Sequence, residues 1–390
     1  MTEAGRWPAA LLPALIVLFV CGVARGVKNS TFDCRNGGVL STNRRPWRSS
    51  DKGGDGAAAT LPPRFSELSA AERAQFTRCG AIPVEESMFV DDSGPPGGTF
   101  YQFSADHTQA LVQTATTLVQ LVRKHGASQG SLLHARRRRQ RRPSESEVWL
   151  LEALSAFFSE DLDELLPSNR KSVLIFGSMS PWIEALCLAF GATDTTTVEY
   201  NRLAFHHSSM STVTVNDFWA AVEAGADGNG NIPGVPFAAI LSISSFDHDG
   251  LGRYGDPIAP DGDIMTMRRI LSASERLLAS PNGASRMFLT VPLGPDLLAW
   301  NLMRRYGRLR LPLLLSGWHV VQAHGFEDSR LDLPHGGKQN FRQSWEPVLV
   351  LAKGRAGHGI TIDGPEFPWT IGGEDSLTDQ PRPVATRDGL

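Results

Sequence analysis

Cysteine is scarce: four in 390 residues, at positions 21, 34, 79 and 187. So few cannot staple a disulfide scaffold, and none falls in a CxxC pair or a Cys/His cluster of the kind that holds structural zinc. No metal site is therefore expected, and stability has to come from packing. Charge of one sign is also lacking, since the formal net charge is only −3. That argues against a polyanion binder, so no nucleic-acid partner is expected. An apolar run long enough to span a membrane is missing too. The longest candidate, residues 9–24, is interrupted by Pro13 and Gly22, and a spanning helix needs about 20 apolar residues.

What the chain has instead is 41% hydrophobic residues, enough for one full core and a smaller appendage. Residues 9–24 suit the core of a signal peptide, with Gly22-Val23-Ala24 as a small-residue cleavage site. An uncleaved signal anchor is the equal alternative. Residues 1–28 are thus expected to be a signal peptide or anchor. This places the rest in the secretory pathway, lumenal or extracellular, with membrane anchoring through 9–24 as one outcome. In such a compartment Cys34 and Cys79 could pair. Residues 29–64, rich in Gly, Ser, Arg and Ala, read as a flexible stem. A helical N-terminal segment is expected over 65–167. Within it, Ser69 and Glu72 have the spacing of a capping box, and 104–125 carries apolar residues near helical spacing. Residues 126–147 form an exposed insertion around the basic run 136–142. That run reads as a solvated loop, with a nuclear signal, an RNA contact or a protease site as the functional alternatives. Residues 356–390 are read as a tail.

From 168 to 355 the pattern alternates strands and helices. Residues 172–176 are an unbroken apolar run ending at Gly177, as in a buried parallel strand. A helix follows over 181–190, with Pro181 in its first turn and Gly191 as its stop. Strands are expected at 195–199, 213–215, 237–243 and 286–291, with helices at 218–224 and 264–279, the latter capped by Asp263. The end of the pattern discriminates between folds. A helix over 296–305 precedes two strands, 313–321 and 345–352, with no helical pattern between them. These two should pair antiparallel as a long hairpin. A mostly parallel seven-stranded sheet closed by a C-terminal antiparallel hairpin is the Rossmann-like α/β fold of class I methyltransferases. The expected architecture is that fold plus a small N-terminal helical segment.

Three strand ends carry candidate ligand-binding residues. Gly177-Ser178-Met179-Ser180-Pro181 turns a strand into a helix, where Gly lets backbone approach a ligand and the helix start offers free N–H groups. Glu199 follows the second strand and can accept both hydroxyls of a ribose. Asp217, after the third, is placed to meet an adenine amino group. Gly177, Ser178, Ser180, Glu199 and Asp217 are thus the candidates for a nucleoside-bearing cofactor. The densest cluster follows the fourth strand, in the loop 245–257. There His248 is a candidate general base, with Asp247 or Asp249 to orient it. Arg253 and Tyr254 could hold an anionic or sugar group, and Asp256 completes the set facing the acceptor. An Asp-His-Asp run can also bind a divalent metal, and a loop knit by its own hydrogen bonds is the structural alternative.

Phe176-Gly177-Ser178-Met179-Ser180-Pro181-Trp182-Ile183-Glu184-Ala185, Thr197-Val198-Glu199-Tyr200-Asn201 and Gly250-Leu251-Gly252-Arg253-Tyr254-Gly255-Asp256-Pro257 resemble the signatures of domain of unknown function family 268. The resemblance runs over 171–353 and takes in Asp263, Asn301, Arg304, Tyr306-Gly307 and Trp345-Glu346-Pro347. It departs at Met303, in a stretch where a His is expected. The resemblance implies a methyltransferase-like fold without an established activity. With the residue reading, it leads to methyl transfer from S-adenosylmethionine to an oxygen or nitrogen of a small molecule, glycan or lipid head group. The alternatives are a non-catalytic binding module, suggested by Ser in place of Gly in the first loop, and a metal-dependent nucleotide-sugar transferase.

Overall fold

The computed structural model describes residues 62–86, 90–92, 100–128, 144–158, 162, 166, 171–225, 232, 235–281, 283–332 and 345–354. The expected signal segment, almost all of the stem, the basic run and the tail lie outside them. Ahead of the main sheet come α1 (Ala70–Phe76), β1 (Val84–Glu85), β2 (Phe100–Gln102), α2 (Ala105–His125) and α3 (Glu145–Phe157). The sheet domain opens with β3 (Ser172–Phe176), α4 (Trp182–Phe190), β4 (Asp194–Glu199), β5 (Arg202–Ala204), β6 (Met210–Thr214), α5 (Val215–Ala224) and β7 (Ala239–Ile243). It continues through α6 (Gly262–Ser272), α7 (Ser274–Leu277), β8 (Arg286–Thr290), β9 (Leu297–Ala299) and β10 (Met303–Arg305). It closes with α8 (Leu311–Leu314), β11 (Trp318–His324) and β12 (Val348–Lys353).

Seven strands form one sheet in the order β11-β12-β8-β7-β3-β4-β6. β3 pairs in parallel with β4 and β7, β4 with β6, and β7 with β8. β12 runs antiparallel to β8 and pairs antiparallel with β11. A five-strand parallel sheet with an antiparallel strand slotted between its last parallel strand and the edge is the class I methyltransferase arrangement, as expected. The strands run apolar on both faces because both are covered. Along β3, Leu174 and Phe176 enter one core with α5 and α6, while Val173 and Ile175 enter the other with α2, α3 and α4. The alternation is the period of two of an extended chain.

Local signals hold where caps are strong. Ser69 accepts from the Glu72 N–H while the Glu72 carboxylate takes the Ser69 N–H, the capping box read from the sequence. Ser144 and Glu147 make a second one at the start of α3. Gly191 ends α4 in the left-handed region.

Three expectations are corrected. The helix expected over 296–305 is the hairpin β9–β10, to which β1 adds in parallel. The N–H groups of Leu298 and Trp300 bond to the carbonyls of Pro83 and Glu85, more than 200 residues earlier in the chain. Trp300 is buried against Phe65 and Phe76, with ring centroids 5.4 and 5.0 Å apart. This tertiary pairing outweighs the helix propensity of the segment. The strand expected from 313 starts only at Trp318, after the short α8. Finally, Asp263 does not cap the helix at 264–279. It lies inside the first turn of α6, which ends at Ser272, and is wholly buried beneath two arginines.

Candidate functional site

The order of the parallel strands reverses between β3 and β7. Ligands in open α/β sheets bind beyond the carboxyl ends of strands at such a switch point. A crevice open to solvent lies there. Phe176 and Gly177 from the end of β3, Val198 and Glu199 from the end of β4, and Phe246 and His248 from the loop after β7 all border it.

Gly177 has φ +73°, and a Cβ there would lie 1.8 Å from the Ser245 hydroxyl oxygen. Only glycine allows the turn and the close passage of the two loops. Glu199 is nearly buried. Burial raises its pKa, and the N–H groups of Asn201 and Tyr200 pull in the opposite direction. The Asn201 N–H is 3.4 Å from one carboxylate oxygen, a long hydrogen bond that leaves acceptor capacity on Glu199. The apolar wall is Phe176, Val198, Val215, Trp219 and Phe246, suited to a flat aromatic group. An acidic acceptor next to an apolar slot, under a turn with no side chain, fits an adenosyl group.

Two of the five candidate cofactor residues, Gly177 and Glu199, come together in the crevice. The others do not border it. The Ser178 hydroxyl turns inward to the Ser180 carbonyl and the Glu184 carboxyl, each at 3.0 Å. Ser180 is exposed and contributes its carbonyl. Asp217 is exposed because α5 begins directly after β6. Its N–H bonds to the Thr214 hydroxyl, which donates back to its carboxylate at 2.6 Å. The spacing Thr214-Val215-Asn216-Asp217 carries this signal, since Thr followed three residues later by an acid marks a helix cap.

Around the acceptor-side loop, His248, Tyr254 and Asp256 border the crevice, whereas Asp247 and Arg253 do not. His248 Nδ1 is 2.6 Å from the Leu302 carbonyl. A carbonyl only accepts, so Nδ1 carries a proton and donates it. Nε2 lies 3.5 Å from the Asp247 carboxylate, which is buried without a hydrogen-bond partner. Burial raises its pKa, opposed by His248. Orientation of the ring thus comes from Leu302, while Asp247 or Asp249 was expected to provide it. Asp249 instead accepts from Thr266 at 2.9 Å and borders the crevice. Burial, with Asp256 nearby, holds it far above the ordinary carboxylate range. The side chains of the Asp-His-Asp run therefore diverge. Among the described residues no group of three His, Cys, Asp or Glu is placed to hold a metal ion.

Asp256 knits the loop by accepting the N–H groups of Gly250, Gly252 and Tyr254 at 2.7, 3.0 and 3.1 Å. Arg253 donates to Asp92 at 2.7 Å and lies 4.9 Å from the Tyr254 ring centre. It is held by the N-terminal segment and does not border the crevice. Behind the loop, buried Arg304 donates to the carbonyls of Asp247, Asp249, Ala259 and Pro260. Asp263 receives two bonds from Arg310 and one from the Tyr306 hydroxyl. Burial alone would raise the Asp263 pKa, but Arg304 and Arg310 outweigh it and hold the carboxyl at about 2. The sequence reading missed Ser244, which borders the crevice with φ +51°. It is held there by Thr290, whose backbone carbonyl and hydroxyl both take its N–H.

The sheet and crevice define a domain of the class I methyltransferase fold. Residues 170–353 match the model of the family described as "Caenorhabditis protein of unknown function, DUF268", the family whose signatures the motifs resemble. No curated protein matches the sequence. Among solved structures, one similar chain comes from a Haloferax volcanii complex between the Trm112 methyltransferase activator and a protein described as a methyltransferase. It is 12% identical, covers 54% of this chain and 94% of its own, and has a TM-score of 0.30. The mitomycin 7-O-methyltransferase MmcR is 14% identical, with coverage of 64% and 67% and a TM-score of 0.28. A Listeria monocytogenes protein described as an S-adenosylmethionine-dependent methyltransferase is 13% identical, with coverage of 52% and 98% and a TM-score of 0.27. Scores this low add nothing to the strand order, on which the fold assignment rests.

Proposed function

We propose that the chain is an S-adenosylmethionine-dependent methyltransferase whose cofactor lies in the crevice at the switch point. The observation that carries this is the juxtaposition of the glycine turn at Gly177 with the Glu199 carboxylate on the neighbouring strand end. Glu199 would accept from the ribose hydroxyls, and Trp219, Val198 and Phe246 would flank the adenine. When bound, the cofactor supplies an electrophilic methyl group. The protein then has to position an acceptor and take up its proton. His248 suits the second task, because its fixed Nδ1–H leaves Nε2 free to receive a proton beside the Asp247 carboxylate, which stabilises the cation formed. The acceptor in this reading is an oxygen or nitrogen of a small molecule, glycan or lipid head group. The secretory address belongs to the same proposal. It is supported by the apolar stretch 9–24.

Calorimetry with S-adenosylmethionine and S-adenosylhomocysteine tests the reading. Saturable micromolar binding by the folded protein is expected, and absence of heat from either ligand would abandon it. Fractionation of expressing cells, with a glycosidase shift at the Asn29-Ser30-Thr31 sequon, tests the address. A cytosolic, unshifted protein would overturn that part alone.

A further inference from the structure

Glu184 lies in the first turn of α4, wholly buried, behind the loop that forms one wall of the crevice. Its carboxyl has two hydroxyl neighbours: Thr197 of β4 donates to one oxygen at 2.6 Å, and Ser178 lies 3.0 Å from the other. Ser178 is also 3.0 Å from the Ser180 carbonyl. A serine hydroxyl has one proton and a carbonyl has none. If Ser178 donates to Ser180, the bond between Ser178 and Glu184 can form only when the carboxyl is protonated and donates. The neutral acid therefore makes three hydrogen bonds within the group. An ionised Glu184 makes two and pulls the Ser178 proton away from the turn that Ser178 and Ser180 close.

We infer that Glu184 is a neutral carboxylic acid that sets the shape of the turn after Gly177, and through it the crevice's hold on the cofactor. It is a positioning residue, and this inference rests on the crevice being the cofactor site. The surroundings agree. Burial drives the pKa of Glu184 from its ordinary 4.5 to about 7, opposed by the bond from Thr197 and, whenever Ser178 donates to the carboxyl instead of to Ser180, by that bond too. The titratable neighbour on its own helix is the Cys187 thiol, which burial and Glu184 keep protonated. α2, which packs on α4, presents Ala115, Leu118, Val119 and Val122 to the shared core, none of them charged. β4 presents the Thr197 hydroxyl and carries the Glu199 carboxyl on the same face two residues on, and the loop presents the Ser178 hydroxyl.

The test compares the full chain with Glu184→Gln, whose amide can donate to Ser178 and accept from Thr197 without titrating. Two readouts are taken from pH 6 to pH 8.5: affinity for S-adenosylhomocysteine by calorimetry, and melting temperature without ligand. If only the protonated form binds, the competent fraction one pH unit above the transition is about one-eleventh, so wild-type affinity falls roughly tenfold by pH 8. The Gln variant is expected to hold its affinity and melting temperature flat over the same interval, while Glu184→Ala binds weakly throughout. Parallel pH profiles for wild type and Glu184→Gln in both readouts would overturn the inference. A differing melting profile with no S-adenosylhomocysteine binding by either protein at any pH would overturn the cofactor reading while leaving the neutral acid established.

Discussion

Replacing Asp263 with alanine attacks the support of the acceptor-side loop without touching the crevice. Its carboxylate is fully buried and balances Arg310, which donates to it at 2.5 and 3.0 Å, and Arg304, whose Nε is 3.9 Å away. Both guanidiniums are themselves buried. Removing one partner of a buried ion pair costs about 3–5 kcal/mol, because the remaining charge is stranded. The Tyr306 hydroxyl also loses its acceptor. These losses share one site and do not add, so about 4 kcal/mol is expected in all. For a domain of this size that corresponds to a melting point roughly 10 °C lower at pH 7. Asp263→Asn keeps the volume and an acceptor for Tyr306 but not the charge, and should lose more than half as much. The pH dependence has a definite sign. The folded-state carboxyl sits at about 2, below its ordinary 3.8, so the contribution is complete above the unfolded value and disappears as pH falls through about 2. Thermal melting by near-ultraviolet dichroism is the assay. A melting point within about 3 °C of wild type for Asp263→Ala would refute the view that this cluster braces the loop.

Other perturbations separate ligand-binding from structural roles. Glu199→Ala should weaken S-adenosylhomocysteine binding at least tenfold by calorimetry, with the melting temperature almost unchanged; an equal loss of both would make Glu199 structural. Gly177→Ala forces a Cβ to 1.8 Å from the Ser245 hydroxyl at φ +73°, so binding should vanish and stability fall by about 2 kcal/mol or more. Full binding by that variant in calorimetry contradicts the close approach of the two loops. Glu184 works in the opposite sense to Asp263. Its stabilising protonation is complete below about 4.5 and is lost as pH rises through about 7. Wild type should therefore be about 2.5 kcal/mol less stable at pH 8 than at pH 5 from this group, and chemical denaturation of Glu184→Gln should lack that slope.

The parallel strands were legible because each announces itself locally. Residues 173–176 are four apolar residues closed by glycine, and burial on both faces demands that pattern. The closing hairpin was legible from an absence, as no helical period separates its strands. β9 and β10 were hidden because Leu297, Leu298, Ala299, Met303 and Arg304 are good helix formers. What makes them strands is β1, supplied from the far end of the described chain. At the site, Glu199 and Asp217 looked alike, each an acid after a β-branched run. They part company because α5 starts directly after β6 and recruits Asp217 into its cap, whereas β4 is followed by a bend at Tyr200 and then β5. Ser178 was read as a ligand contact because its inward partner, Glu184, lies six residues away on a helix whose packing against β4 leaves no local sequence signal. The long signature over 250–257 is largely self-directed: Asp256 uses its carboxylate on three backbone N–H groups of its own loop. Length of a motif thus reported loop construction more than ligand chemistry.

That construction ties the N-terminal segment to the candidate base. The Leu302 carbonyl that fixes His248 follows Asn301, whose side chain accepts the Val90 N–H at 2.9 Å and donates to the Val90 carbonyl at 2.7 Å. Two residues on, the Asp92 N–H and carboxylate clasp the carbonyl and guanidinium of Arg253. Residues 90–92 therefore hold together two loops that the main sheet leaves separate. Asn301→Ala removes both bonds to Val90 and should cost about 1–3 kcal/mol for the polar groups left unmet. Its effect should be local: faster cleavage near residue 90 in limited proteolysis and an altered His248 ring environment by NMR. S-adenosylhomocysteine affinity should hold, since its proposed binding residues lie on the other strand ends. Proteolysis at the wild-type rate, or an unchanged His248 signal, would disconnect the segment from the base. A fall in S-adenosylhomocysteine affinity as large as that of Glu199→Ala would mean that the cofactor and acceptor sides are one cooperative unit, contrary to the division drawn from the geometry.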